Sequence, residues 1–196
     1  MFVPGASTGA VPRLPQYPPP GADRADWQLL NTGGVNLVRR KEFLEGRLRA
    51  LEGLGYAIHR LRFTSVDAFV RELSSALRWE EQFGYGSWGG NLDALNDGFP
   101  GDLFDASDLN AFCIEDFHLF VAADRHMAEG VLDIVAREAR GQFLLGKRLV
   151  LLIQTDDATY QTPPLASVHG QWSREEWSTA SRGLQARRAP TPTTLK

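Results

Sequence analysis

Apolar positions along the chain switch repeatedly between helical and strand-like spacing, and this pattern predicts the fold. The predicted helices have apolar residues three and four apart, and they are Lys41 to Glu52, Val66 to Leu77, Asn91 to Phe99 and Ala128 to Arg140. The predicted strands are short and β-prone, and they are Val35 to Val38, Tyr56 to Phe63, Phe112 to Phe120 and Arg148 to Gln154. Strands separated by helices imply parallel crossovers, so we expect an α/β protein with a small, mostly parallel β-sheet of three to four strands packed with helices.

The two ends of the chain differ from this pattern. Residues 1–25 hold six of the eleven prolines and few large apolar groups, which predicts a disordered N-terminal tail. Residues 26–54 are expected to form a strand and helix extension, and residues 55–157 the main domain. The remaining residues, 158–196, are expected to be a partly disordered extension in which Ser173 caps a short helix, docked through Trp172 and Trp177.

Sequence composition indicates the cellular compartment in which the protein is expected to lie. The run Leu149 to Ile153 is far shorter than the roughly 20 residues that cross a bilayer, so we expect no membrane contact. The N-terminus has no basic start and no unbroken apolar stretch, unlike a secretory signal. Cys113, the only cysteine of 196 residues, excludes an internal disulfide and is expected to be buried. These features favour a cytoplasmic protein.

Charge is unevenly distributed along the chain. Residues 91–138 carry eleven acids and two bases, whereas the rest of the chain has thirteen acids and nineteen bases. An acidic region repels phosphate, so this polarity favours a cationic partner over direct binding of nucleic acid. On charge alone, however, a solvated acidic surface is the favoured interpretation.

The glycine-rich loop before the third predicted helix allows two interpretations. Gly84 to Gly89 matches the dinucleotide-binding pattern G-x-G-x-x-G, but that pattern requires a strand before the loop, and the segment Val66 to Trp79 is predicted helical. Asp93 would also occupy the helix end that a pyrophosphate uses. We therefore reject nucleotide binding.

Two acids on the helix after this loop are the more informative feature. Asp93 and Asp97 are four residues apart and share one helix face, although like charges at that spacing weaken an isolated helix by a few tenths of a kcal/mol. Leu92 and Leu95 point to the other side, so the acids should be exposed. Trp88 and Tyr85 would offer flat apolar anchors beside them.

The string WGGNLDALND, Trp88 to Asp97, resembles the loop and second helix of the barstar family of ribonuclease inhibitors. Val131 to Arg140 resembles a later helix of that family and the run RLVLLI its final strand, with order and spacing agreeing over about residues 55–157, roughly half the chain. The resemblance implies a barstar-like domain.

In that family, acids of the loop and helix enter the active site of a basic secreted ribonuclease and mimic RNA phosphate. The resemblance therefore implies an intracellular inhibitor of a barnase-like ribonuclease or related toxin, with no enzymatic activity, cofactor or metal. The partner-binding residues that it implies are Trp88, Gly89, Gly90, Asn91, Asp93, Ala94, Asp97 and Glu138.

Two departures from the family pattern keep alternatives open. Asn96 stands where the family often has an aromatic residue, and a longer segment from Pro100 to Asn110 follows the helix. These differences permit an immunity or interaction protein for a non-ribonuclease partner. A hydrolase using Asp93 and Asp97 is a third possibility, although no nucleophile and base occur at recognisable spacing. The chain also lacks an EF-hand pattern and a histidine pair at metal-ligand spacing.

Overall fold

A computed structural model of the chain describes residues 25–31, 33–99, 106–178 and 180–183. The strands are β1 (Val35–Val38), β2 (Ala57–Arg62), β3 (Leu109–Glu115), β4 (Arg148–Gln154) and β5 (Gln171–Trp172). The helices described in full are α1 (Ala25–Leu30), α2 (Lys41–Gly53), α3 (Val66–Ala76), α4 (Trp79–Phe83), α5 (Leu92–Gly98), α6 (Phe117–Ala123) and α7 (Arg125–Leu144). Among these residues, no helix combines the length and the apolar character needed to cross a bilayer.

The strands form one parallel sheet in the order β2-β3-β4-β1-β5. Val35 of β1 lies opposite Leu151 of β4, which places the N-terminal extension inside the sheet. The predicted α/β class and the parallel sheet are confirmed. The sheet has five strands instead of the predicted three to four; β5 was missed because it has only two residues, too few for any period to appear in the sequence.

The central strand β4 separates two cores. Leu149, Leu151 and Ile153 belong to the core beneath α3, α5, α6 and α7, whereas Val150 and Leu152 face α1 and α2. All five side chains are fully buried, which confirms a strand covered on both faces. Burial of each such side chain stabilises the fold by roughly 1.5–3 kcal/mol.

Cys113 of β3 is buried against α2, as expected for the only cysteine. Burial raises the pKa of its thiol to about 12. The thiol is therefore neutral at physiological pH and packs as a small apolar side chain.

Several predicted boundaries are wrong. The predicted strand Phe112 to Phe120 ends at Glu115, and α6 starts at Phe117 after Asp116 turns the chain with a φ of 57°. Phe117 and Phe120 are buried one helical turn apart, so an apolar run that looks β-prone contains two elements. The predicted helix Ala128 to Arg140 is longer, because Asp124 caps it four residues earlier and Gly141 lies within it.

The N-terminal extension contains α1, which the sequence pattern did not predict. Its Asp26 is buried and accepts hydrogen bonds from Tyr56 Oη at 3.0 Å and Arg148 Nη1 at 2.8 Å. These two contacts join the extension to both β4 and the start of β2. The tail predicted for residues 1–25 lies outside the described residues except for Ala25, which begins α1.

The C-terminal extension is anchored by Glu176, a buried residue in a single 3-10 turn, Arg174–Glu176. Its carboxylate accepts from the backbone N–H of Arg39 at 2.7 Å, the N–H of Arg40 at 3.1 Å and Arg40 Nε at 3.2 Å. The helix predicted after Ser173 is only this one turn, and the side chain of Ser173 makes no capping hydrogen bond, so the predicted cap is wrong. Trp172 packs partly against the core as predicted, but Trp177 is exposed and does not dock.

Candidate functional site

The loop and helix from Gly84 to Phe99, here called the loop–helix segment, are fixed to α3 by Trp88. Trp88 donates its backbone N–H to Ser74 Oγ at 2.9 Å and its indole Nε1–H to the Asn91 carbonyl at 2.6 Å. Trp88 is only 1% exposed, so it is not accessible as the predicted flat apolar anchor for a partner. The indole N–H is satisfied within the loop, which allows the ring to be buried without a polar penalty.

The aromatic side chains that do face solvent lie at the start of the loop. Tyr85 is 55% exposed and Phe83 is 40% exposed, and their ring centroids are 5.9 Å apart. The exposure of Tyr85 is compatible with the predicted apolar anchor, and its contact with a partner stays a prediction.

Asn91 starts α5 as its N-cap. Its side-chain oxygen accepts from the N–H groups of Asp93 at 2.8 Å and Ala94 at 3.4 Å. Gly90 precedes it with a φ of 86°, and a Cβ there would lie 3.1 Å from Met127 Cε. Ala94 packs partly against the core. Asn91, Gly90 and Ala94 thus have clear roles in shaping the segment, and their predicted contact with a partner stays a prediction.

Asp93 and Asp97 are both exposed on α5. Leu95 on the opposite side is fully buried and Leu92 packs partly against the core, which confirms the predicted amphipathic helix. Among the residues that the structure describes, no cationic side chain forms an ion pair with either acid. Both carboxylates are therefore open to an external cation.

Close packing holds α5 on its neighbours. A Cβ added at Gly130 of α7 would overlap Leu92 Cδ1, so this glycine allows α5 to approach α7. A Cβ at Gly98 would lie 2.7 Å from Trp79 Cζ3 and 2.9 Å from two ring atoms of Phe83. The short helix is thus fixed on two sides by groups that leave no room for a methyl.

Glu138 lies on α7, the helix against which α5 packs. It is half-buried, and burial raises the pKa of its carboxyl, partly offset by a hydrogen bond with Gln142 and the charge of Arg137. A hydrogen bond between the two helices is made by its neighbour Arg137, whose Nη1 donates to Asn96 Oδ1 at 2.9 Å. The structure therefore places Glu138 beside this contact and shows no direct hydrogen bond between Glu138 and the α5 acids.

Sequence reasoning missed Arg137 and Asp133. Arg137 also forms an ion pair with Asp133 at 2.6 Å, four residues earlier on α7. The ion pair could have been predicted, because residues four apart on a helix lie next to each other. The contact with Asn96 could not have been predicted, because Asn96 and Arg137 are 41 positions apart in the sequence.

The structure also bears on the nucleotide-binding and metal-binding alternatives. The loop Gly84 to Gly89 follows two helices, α3 and α4, which confirms the ground on which nucleotide binding was rejected. Within the described ranges, no cluster of three His, Cys, Asp or Glu side chains is arranged to hold a metal ion. The acids Asp102 and Asp105 of the longer segment lie outside those ranges.

Comparisons with protein-family models, curated proteins and solved structures found no match for this chain. The resemblance to the barstar family thus stays a prediction carried by the residues of the loop–helix segment.

Proposed function

We propose that this protein is a cytoplasmic inhibitor of a barnase-like ribonuclease or related toxin. The observation that carries the proposal is the exposed pair Asp93 and Asp97, which forms no ion pair among the described residues and lies on a helix that Trp88 and two close-packed glycines hold in place. The family resemblance of the same residues supports it. The chain would act by binding, without a cofactor and without contacting RNA itself.

The mechanism is mimicry of phosphate by carboxylate. A ribonuclease active site concentrates cationic groups to hold RNA phosphates, and Asp93 and Asp97 would occupy those positions. Among the described residues neither acid has an ion pair that must break before binding, so the electrostatic cost that opposes the attraction is their loss of water. The net negative charge of residues 91–138 would also attract a basic enzyme and accelerate encounter.

Rigidity of the segment favours binding as well. The Trp88 and Asn91 hydrogen bonds order the loop before any partner arrives, so less conformational entropy is lost in the complex. Glu138 would contribute in a pH-dependent way, because its pKa is raised by burial and only the ionised form attracts a cation. Binding through Glu138 should therefore weaken as the pH falls through that raised pKa.

The test is titration of a barnase-type ribonuclease with the full chain and with Asp97→Ala. We expect the wild type to inhibit and Asp97→Ala to inhibit much less, since a central desolvated acid is the strongest candidate for a hot spot. Glu52→Ala is the matched control, because Glu52 is an exposed acid on α2, across the sheet from α5. Higher salt should slow association of the wild type.

Two outcomes would count against the proposal in different ways. A folded wild type that fails to inhibit removes the barnase-type partner. Equal inhibition by wild type and Asp97→Ala removes the site, even if the function holds.

A second candidate is an immunity or interaction protein for a non-ribonuclease partner. The observation that favours it is Asn96, whose amide oxygen accepts a hydrogen bond from Arg137, because a polar contact then stands where the family often has an aromatic residue. The second function is supported if the chain protects cells against a toxin that does not cleave RNA and if Asp97→Ala abolishes that protection.

A further inference from the structure

A continuous set of hydrogen bonds links α5 to the C-terminal extension. Asn96 Oδ1 accepts from Arg137 Nη1 at 2.9 Å, and Arg137 Nη2 donates to Asp133 Oδ2 at 2.6 Å. The other oxygen of Asp133 accepts from the backbone N–H of Ala166 at 2.8 Å. Both oxygens of Asp133 are thus used, one toward α5 and one toward the extension.

The hydrogen bonds reach the C-terminal extension at an unusual turn formed by residues 165–168, here called the C-terminal turn. Ala166 and Ser167 have φ values of 44° and 81°, a left-handed conformation that residues other than glycine rarely adopt. The turn is closed by backbone hydrogen bonds in both directions between Leu165 and Val168. Such a conformation persists only where the surroundings determine it.

Helix α7 supplies those surroundings. Asp133 binds the Ala166 N–H, and Arg140 Nη1 donates to the Ala166 carbonyl. The strained residue is therefore held from both sides of its backbone by one helix. Conversely, the turn fixes the Asp133 carboxylate in the orientation that receives Arg137.

We propose that Arg137 is a positioning residue for α5, and that the C-terminal turn holds Arg137 in place through Asp133. The inference rests on the proposed function, because the position of α5 matters to a partner that contacts Asp93 and Asp97. A guanidinium suits this role since its N–H groups diverge in a fixed plane, so that one side chain can bind Asn96 and Asp133 together.

The first measurement is made on the free chain. Backbone amide resonances of α5 are compared by NMR between the wild type, Asp133→Asn and Arg137→Lys. We expect both variants to shift the resonances of Asn96 and Asp97 and leave those of α2 in place. Lysine keeps the positive charge but lacks the planar guanidinium that can bind Asn96 and Asp133 together. If α5 of Arg137→Lys has the same resonances as the wild type, the positioning role is overturned. Glu129→Gln is the charge control, because Glu129 lies on the same helix and pairs only with Arg125 among the described ion pairs.

The second measurement is the dissociation rate of the complex with a barnase-type ribonuclease. We expect Asp133→Asn to raise it roughly two- to five-fold, since the Asp133–Arg137 pair is exposed and interface changes act mainly on dissociation. Glu129→Gln should leave it unchanged. If Asp133→Asn and Glu129→Gln dissociate at the same rate, the proposal is overturned. A wild type that does not bind removes the proposed function alone, and the NMR comparison still decides the role of Arg137.

Discussion

Replacement of Gly98 by alanine tests whether α5 is held by close packing. The change sets two effects against each other. Alanine is favoured over glycine within a helix by up to about 1 kcal/mol. Against this, the new methyl would lie 2.7 Å from Trp79 Cζ3 and 2.9 Å from Phe83 Cε2 and Cζ, distances that real Cβ atoms essentially never show.

The structure indicates which effect is larger. Phe83 is 40% exposed, so its ring can turn toward solvent. Trp79 is only 1% exposed, so its ring cannot move away from the new methyl without disturbing the core. Overpacking of a well-filled site typically costs about 1–3 kcal/mol. We expect Gly98→Ala to lower the free energy of unfolding by about 1–2 kcal/mol, because the clash with Trp79 exceeds the gain in helix propensity.

Urea unfolding measures this difference as a lower midpoint at an unchanged slope. Gly141→Ala is the matched control, because Gly141 lies within α7 and a Cβ there meets nothing within 4 Å. That variant should be more stable than the wild type by roughly 0.5–1 kcal/mol. A Gly98→Ala midpoint at or above that of the wild type would show that Trp79 relaxes at little cost, and would refute the packing argument.

Two further predictions concern charged groups. Glu176→Gln should lower the free energy of unfolding by about 2 kcal/mol, because a buried carboxylate that accepts from two backbone N–H groups and from Arg40 becomes a neutral amide. Breaking a fully buried ion pair usually costs more, but Arg40 is 43% exposed and the loss is therefore smaller. Unchanged urea stability would show that Glu176 does not anchor the extension. For Asp116, burial alone would raise the pKa of its carboxyl, but the hydrogen bond from Arg62 and the charge of Lys41 lower it below 3.8. The stabilisation should be present above pH 3.8 and disappear as the pH falls through the lowered pKa, so the wild type and Asp116→Asn should converge in urea stability at low pH.

Local signals in the sequence account for α5 and the main strands. Asn91 before Leu92 and Leu95 marks a capped amphipathic helix, and the structure has that helix within one residue of the prediction. The apolar run of β4 identified a strand buried on both faces. In these cases a single element carries its own pattern, so neighbouring residues are sufficient.

The features that were missed depend on distant residues. Helix α1 spans six residues and is held by Tyr56 and Arg148, while β5 exists only by pairing with β1. The burial of Trp88 depends on Ser74, 14 positions earlier. The sequence around Trp88, with its glycines, reads as an exposed loop, and only the tertiary contacts show that the ring is inside.

The position of β1 in the sheet bears on the boundary drawn at residue 55. Strand β4 is paired with β3 on one side and with β1 on the other, and its side chains from Leu149 to Ile153 are fully buried. A chain trimmed to residues 55–157 would leave the β1 side of that strand without a hydrogen-bonded neighbour, and an apolar edge strand invites pairing with other copies. The N-terminal extension therefore covers an apolar edge that β4 would otherwise expose, and β5 in turn covers the other side of β1.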